Sequence, residues 1–299
     1  MTMNQITRSV FPWGTRTFIM GIINLTPDSF SGDGLLDEED VVAAAVARAE
    51  MFLRDGADIL DVGGESTRPG AEVVSEEEEI SRVVPVIRAI REAFPDALVS
   101  IDTYKSVVAR KALEVGANWV NDIWGFKADR NLASVTAEWN APVVLMHNRS
   151  KPGSAALEAR LGGRYVGVDY DDLIHDICNE LLESVAIARE SGIPEEHIIL
   201  DPGIGFGKTV SQNLALIDCL DEIKALGYPI LAGPSRKSFI GYSLNLPPEE
   251  RLEGTAAAVA LCIDRGADII RVHDVRMMAR VARMTDAIVG HHHAGDDSQ

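Results

Sequence analysis

At 299 residues, with 46% hydrophobic and 25% charged side chains, the chain has the composition of a globular protein and a length that strand-helix barrels reach as one unit. A formal charge of −18 argues against a general nucleic-acid surface, and no apolar run approaches the ~18 residues that cross a bilayer. The start, MTMNQITRSV, lacks the basic and apolar stretches of a secretory signal, so a cytoplasmic protein is expected.

Residues 1–17 read as a lead segment that packs on the domain that follows. Phe18 to Ile23 is an apolar strand, and "NLTPDSFSGDG", Asn24 to Gly34, is a turn-rich loop leaving its end. Val41 to Arg54 reads as a helix, with acidic residues just before it at the positive end of its dipole. Then "RDGADILDV" joins a helix ending at Gly56 to a strand at Ile59 to Val62, and "GGESTRPG" follows. Ser75 with Glu78 suggests a capping box, which explains the Glu76 to Glu79 run as a charged first turn in solvent.

The same joint recurs in "EVGANWVND" and "DRGADIIRV", with weaker versions in "EWNAPVVLMH", "SGIPEEHIILD" and "ALGYPILAG". Further strands are placed at Leu98 to Ile101, Trp119 to Val120, Val143 to Met146, Ile198 to Leu200, Ile230 to Ala232 and Ile269 to Val272. Asn148 to Val166 shows no clear period and reads as a flexible loop. Cys178, Cys219 and Cys262 are far apart in helix-like segments and read as small core residues, with no disulfide framework and no Cys-rich metal site. The stretch 290–299, with His291 to His293, reads as a flexible polar tail. Alternating strands and helices predict an α/β single domain over 18–289, a (β/α)8 TIM barrel, with an open doubly wound sheet as the alternative.

Nearly every apolar run is followed by a polar residue: Asn24, Asp61, Asp102, Asn121, His147, Asp201, Ser235 after Gly233, and His273 beside Arg271. In a barrel these positions converge at one mouth, where such proteins build their sites. Arg236, Lys237, Arg271, His273 and Arg68 form a cationic set suited to a phosphorylated substrate. Asp102, Asn121 and Asp201 offer acceptors for the N–H edge of a flat heterocycle. Asp61 and Asp122 read as caps or turns, and His147 as structural or pocket-lining. "DPGIGFGKT" fails as a P-loop because Pro202 stands where that motif needs Gly, which leaves a Gly-rich turn carrying Phe206.

Together "NLTPDSFSGDG", "GGESTRPG", "SIDTYK", "VNDIWG", "LDPGIGFGKT", "GPSRKSFIG" and "RVHDV" resemble the dihydropteroate synthases, in order and over almost the whole chain. The resemblance implies condensation of 6-hydroxymethyl-7,8-dihydropterin diphosphate with p-aminobenzoate, in a cytoplasmic homodimer that is a sulfonamide target. It implies that Asp102, Asn121, Asp201 and Lys237 hold the pterin, with Met146 and Gly233 lining its pocket. Asn24 would bind Mg²⁺, and Arg271 and His273 the phosphates. Thr67 and Arg68 belong to a second loop, and Phe206, Ser238, Pro69 and Phe30 form the p-aminobenzoate side. Asn24 to Gly34 and Gly63 to Ser75 are expected to act as lids. A pterin-dependent methyltransferase, a non-catalytic pterin binder and a purely structural barrel are the rivals; the phosphate-handling residues and "SRKSF" favour the synthase.

Overall fold

In the computed structural model the described residues are 11–25, 38–66, 73–150, 155–158, 160–165 and 168–290. The chain runs β1 (Phe18–Asn24), α1 (Glu38–Asp55), β2 (Ile59–Gly63), α2 (Glu76–Ala93), β3 (Leu98–Asp102), α3 (Ser106–Glu114), β4 (Trp119–Asp122), α4 (Asn131–Glu138) and β5 (Val143–Met146). A hairpin of β6 (Ala155–Glu158) and β7 (Gly162–Tyr165) intervenes. The series resumes with α5 (Leu173–Glu190), β8 (Ile198–Asp201), α6 (Val210–Asp218), α7 (Leu220–Lys224), β9 (Leu231–Ala232), α8 (Ser238–Leu244), α9 (Leu252–Asp264), β10 (Ile269–Val272) and α10 (Val275–Val289).

Eight of these strands form one parallel sheet, ordered β8-β5-β4-β3-β2-β1-β10-β9. A bridge between Leu200 and Ile230 joins its two ends, so the sheet is the expected barrel and not the open alternative. Each αβ joint needs a left-handed residue to stop the helix and turn into the strand. Gly116 (φ 116°) shows why glycine is used, since a Cβ there would lie 2.9 Å from Arg91 Cγ.

Strand side chains alternate between faces, so every second residue points into the barrel. Phe18, Met20, Ile59, Trp119, Val144, Ile199, Leu231 and Ile269 meet there as one cluster at the N-terminal end of the strands. Phe11 stacks on Phe18 with ring centroids 4.1 Å apart, and with Trp13 it covers that end. Two residues further along the same inward rows stand Asp61, Asn121, Asp201 and Arg271. The barrel is thus plugged with hydrocarbon at one end and polar at the other. Among the described residues, no helix is long and apolar enough to cross a membrane.

Several local expectations are corrected. The segment Asn148 to Val166 contains the β6–β7 hairpin, pinned at its turn by Arg251 Nη2 donating to Leu161 O (2.7 Å). Its Gly-rich strand had no apolar alternation to reveal it. The acidic Glu38, Glu39 and Asp40 begin α1 and do not precede it. Ser75 accepts from Glu78 N, but Glu78 turns its own carboxylate to Arg82, so the box is half made. Glu79 is buried (1% exposed) against Lys105 Nζ at 2.7 Å and is not a solvent residue. Cys262 is buried, whereas Cys178 and Cys219 are only half-buried, and all three are free. The two expected lids, with Phe30, Thr67, Arg68 and Pro69, fall largely outside the described residues.

Candidate active site

At the polar mouth, Arg271 from β10 reaches across the barrel. Its Nε donates to Asp61 Oδ2 (2.7 Å) on β2 and its Nη2 to Asp102 Oδ2 (2.6 Å) on β3. Asn121 Nδ2 donates to the same Asp61 oxygen at 3.0 Å. Asp61 is therefore neither cap nor turn but the buried anchor of the site, a correction that the inward row Ile59, Asp61, Gly63 would have revealed. Asp122, one residue beyond Asn121 and on the opposite face, does make a turn, accepting from Trp124 N and Phe126 N. Burial pushes Asp102 up to about 7 although Arg271 draws it down; the two carboxylates sharing one guanidinium repel each other.

Asp201 ends β8 and accepts Gly203 N at 2.7 Å. Burial raises it to about 6, opposed by the bond from Gly203 and by the fields of Lys237, Arg271 and Lys208. The Gly-rich turn then folds back so closely that only glycine fits: a Cβ on Gly203 would lie 2.0 Å from His147 O. Asn213 Oδ1 holds Gly205 N at 2.6 Å. At the end of this turn the Phe206 ring lies under Lys237 Nζ, 3.9 Å from its centroid. Beneath it Lys208, the lysine of the rejected P-loop, is fully buried and pulled down to about 7 by burial, against Asp201 and Glu180. Nothing in the residue pattern other than its place in a turn had singled it out. His147 is buried beside it and is kept neutral by burial, its value falling to about 4.

A cavity of about 450 Å³ opens over these groups, lined by Asn24, Ser66, Gly205, Gly233, Lys237, Ser238, Arg271 and His273, with Gly162 and Gly163 of the hairpin. Ser235 Oγ lies 3.0 Å from His273 Nδ1 and accepts His273 N at 3.2 Å, which fixes the imidazole at the rim. Asp102, Asn121, Met146, Asp201 and Phe206 are all buried and are not among the residues lining that cavity; Asp102 meets it through Arg271 and Phe206 through Lys237. Arg236 departs from the expected cationic set: its guanidinium turns to Asp274 as a two-point pair (2.9 and 2.6 Å).

The pattern of the pterin binding enzyme family matches residues 20–273, the span that carries the barrel and this mouth. The chain is 55% identical over 280 residues to a dihydropteroate synthase of Clostridium beijerinckii, covering 93% of this chain and 97% of that one. It belongs to the dihydropteroate synthases.

A solved synthase of this family from Clostridium difficile, determined in the presence of pteroic acid, superposes with a TM-score of 0.85 at 46% identity, over 93% of this chain and 98% of that one. Another, from Xanthomonas albilineans with 4-aminobenzoic acid, gives 0.81 at 39% identity, over 91% and 93%. Members are transferases of folate biosynthesis, and the comparisons favour neither a methyltransferase nor a structural barrel.

The fit of a metal can be judged on the donors present. Among the described residues no group of three or more His, Cys, Asp or Glu could hold an ion. Asn24 contributes one neutral side-chain oxygen to the cavity wall. Mg²⁺ takes six oxygens and keeps most of its waters, so a single protein oxygen fits an ion that arrives on a substrate diphosphate.

Proposed function

We propose that this mouth condenses 6-hydroxymethyl-7,8-dihydropterin diphosphate with p-aminobenzoate, yielding 7,8-dihydropteroate and pyrophosphate. The observation that carries the reading is the buried Arg271 pair with Asp61 and Asp102, open on its far side to a cavity edged by His273 and Lys237. Carboxylates at Asp102 and Asp201, with Asn121, suit the paired N–H donors of the pterin edge, and Lys237 its carbonyl. When a pterin takes Asp102, Asp61 still holds Arg271, so the guanidinium stays charged and aimed at the leaving group. Met146 and Gly233 wall the pterin.

Departure of pyrophosphate from the methylene leaves a delocalised pterin cation, which the buried carboxylates stabilise, while Arg271 and His273 take up charge developing on the diphosphate. Mg²⁺ held through Asn24 would add Lewis-acid stabilisation of that same charge. The arylamine of p-aminobenzoate is neutral near pH 7 and attacks the methylene without a dedicated base; the C–N bond forms first and the resulting ammonium, far more acidic than the amine, then loses its proton to solvent or to the departing pyrophosphate. Phe206 and Ser238 would line its side; Thr67, Arg68, Pro69 and Phe30, assigned to it by the family resemblance, lie outside the described residues. Excluding water is the task the two expected lids would serve.

The test is pyrophosphate release with Mg²⁺, with and without p-aminobenzoate, in the parent protein and in Lys237→Ala and Asp201→Asn. Release coupled to dihydropteroate, and reduced by about 100-fold or more in the variants, is expected. Tight pterin binding without turnover would overturn the reading. The same proposal places the enzyme in the cytoplasm, in keeping with three free thiols. It also makes the protein a homodimer through the apolar face of α6, α8 and α9, where Leu214, Leu244 and Leu261 are about half exposed.

A further inference from the structure

The group this mechanism leaves unused is Lys208. Its side chain is 3% exposed, yet its Nζ is surrounded by three acceptors: Gly203 O at 2.9 Å, Phe206 O at 3.2 Å and His147 Nδ1 at 3.1 Å. In its ammonium form Lys208 has three N–H donors and no lone pair, and that form matches the site in number and kind. His147 can accept only as the tautomer protonated at Nε2, and that nitrogen lies 3.2 Å from Glu180 Oε2 on α5. Glu180 is itself held by Arg149, through Nε at 2.7 Å. A chain of contacts thus runs from an outer helix to the two carbonyls that bracket the Gly-rich turn.

We propose that Lys208 is a positioning residue: it fixes the Gly203–Phe206 turn, and with it the Phe206 ring. Gly203 and Gly205 both have positive φ (72° and 83°), and two glycines in three residues leave the backbone many alternatives. The turn's N–H groups donate to Asp201 and Asn213, and Phe206 N donates to Gly203 O at 3.1 Å; Lys208 is the side chain that spans the two ends, through Gly203 O and Phe206 O. Removing the ammonium would leave Phe206 O and His147 Nδ1 without this donor and Gly203 O with the Phe206 N–H alone, which the turn can relieve by moving. Phe206 would move with it, away from the arylamine side of the cavity.

The inference rests on the synthase reading above, and the test separates the two. In steady-state kinetics, Lys208→Met is expected to raise KM for p-aminobenzoate by about tenfold while kcat and KM for the pterin diphosphate stay within about threefold. In a Phe206→Leu background the same change should add less than about twofold, because both act through one ring. Lys208→Gln keeps two N–H donors for the two carbonyls and is expected to recover about half of the loss on a logarithmic scale. It also carries the same measurements if the Met variant does not fold. In a crystal structure of either variant, the Phe206 ring should be displaced from Lys237 by about 1 Å or more. KM effects that simply multiply in the double variant, a drop in melting temperature alone, or an unmoved ring would each overturn the proposal. A parent protein without synthase activity would overturn the function, and the ring position would still decide the role of Lys208.

Discussion

Arg271 and Asp61 stand 210 positions apart in the chain and 2.7 Å apart at the barrel mouth, with Asp61 fully buried. Removing Asp61 leaves Arg271 with Asp102 alone and the buried Asn121 Nδ2 without its acceptor, which typically costs about 1–3 kcal/mol. Asp61→Ala is therefore expected to lower unfolding stability by roughly that amount, and Asp61→Asn by less, since an amide still receives Arg271. Both variants should lose at least about tenfold in kcat/KM, because Arg271 is then free to swing wholly onto Asp102 and occupy the pterin's acceptor. Urea titration with steady-state kinetics decides it; unchanged stability in Asp61→Ala would show that the pair is not what holds Arg271.

The pH dependence follows from Asp201, raised by burial from the ordinary 3.8 to about 6. Only the carboxylate accepts two pterin N–H bonds, so affinity for a pterin ligand should tighten as pH rises from 5 and level off above about 6.5. Stability runs the other way. Between 3.8 and about 6 the folded protein holds a proton that the unfolded chain has released. Folding stability from this group is therefore greatest at low pH and declines as pH rises, by up to ~1.4 kcal/mol per pH unit. Asp102, raised to about 7, extends the same trend upward. Calorimetric titration and urea melts at pH 5 and 7 check both signs, and Asp201→Asn should flatten each; a pterin affinity that weakens with pH would rule out the carboxylate form as the binder.

The barrel was legible because its signals are local and repeated. Gly-Ala-Asp or Gly-Ala-Asn at a helix end followed by two apolar residues says the same thing at Gly56, Gly116 and Gly266, and all three have positive φ. The polar strand ends were legible for the same reason, since parallel strands bring identical positions to one mouth. What escaped were relationships across the barrel. Asp61 lies on the inward row of its strand, but nothing local names Arg271, 210 positions away, as its partner, and Glu79 looked like its exposed neighbours until Lys105 arrived from the turn before α3. Lys208 points inward from a turn whose shape depends on packing against His147 O, which no spacing in the sequence encodes.

Lys105 gathers charges from two elements: its Nζ lies 2.5 Å from Glu65 and 2.7 Å from Glu79, and donates to Val74 O at 2.6 Å. Burial raises the Glu79 carboxyl, and the Lys105 bond pulls it back. Lys105→Met should therefore cost about 3–5 kcal/mol in urea unfolding, with Glu79 left buried and unpaired. Adding Glu79→Gln should return a good part of that loss, because the uncompensated charge is gone. Strictly additive losses in the double variant would mean the two side chains are not coupled.

Gly205 offers a way to displace Lys237 without touching it. A Cβ there would lie 2.7 Å from Lys237 Cδ, and the φ of 83° already disfavours any other residue. Gly205→Ala is expected to lower kcat/KM by about 10–100-fold and to cost about 1–2 kcal/mol of stability. A circular-dichroism melt beside the kinetics separates these. Full activity with the stability loss alone would show that Lys237 can move without consequence.

The apolar groove between α6, α8 and α9 has a volume of about 270 Å³ and brings Leu214, Leu244 and Leu261 together at the surface. Placing a charge there does little to a monomer, because these side chains already meet water. In a dimer it would bury an unpaired carboxylate in a hydrocarbon interface, at a cost of several kcal/mol per copy. Leu261→Asp with Leu244→Asp is therefore expected to turn a sedimenting dimer into a monomer that keeps its circular-dichroism spectrum. A parent chain that sediments as a monomer at micromolar concentration, or a doubly charged variant that still pairs, would remove this face from the assembly.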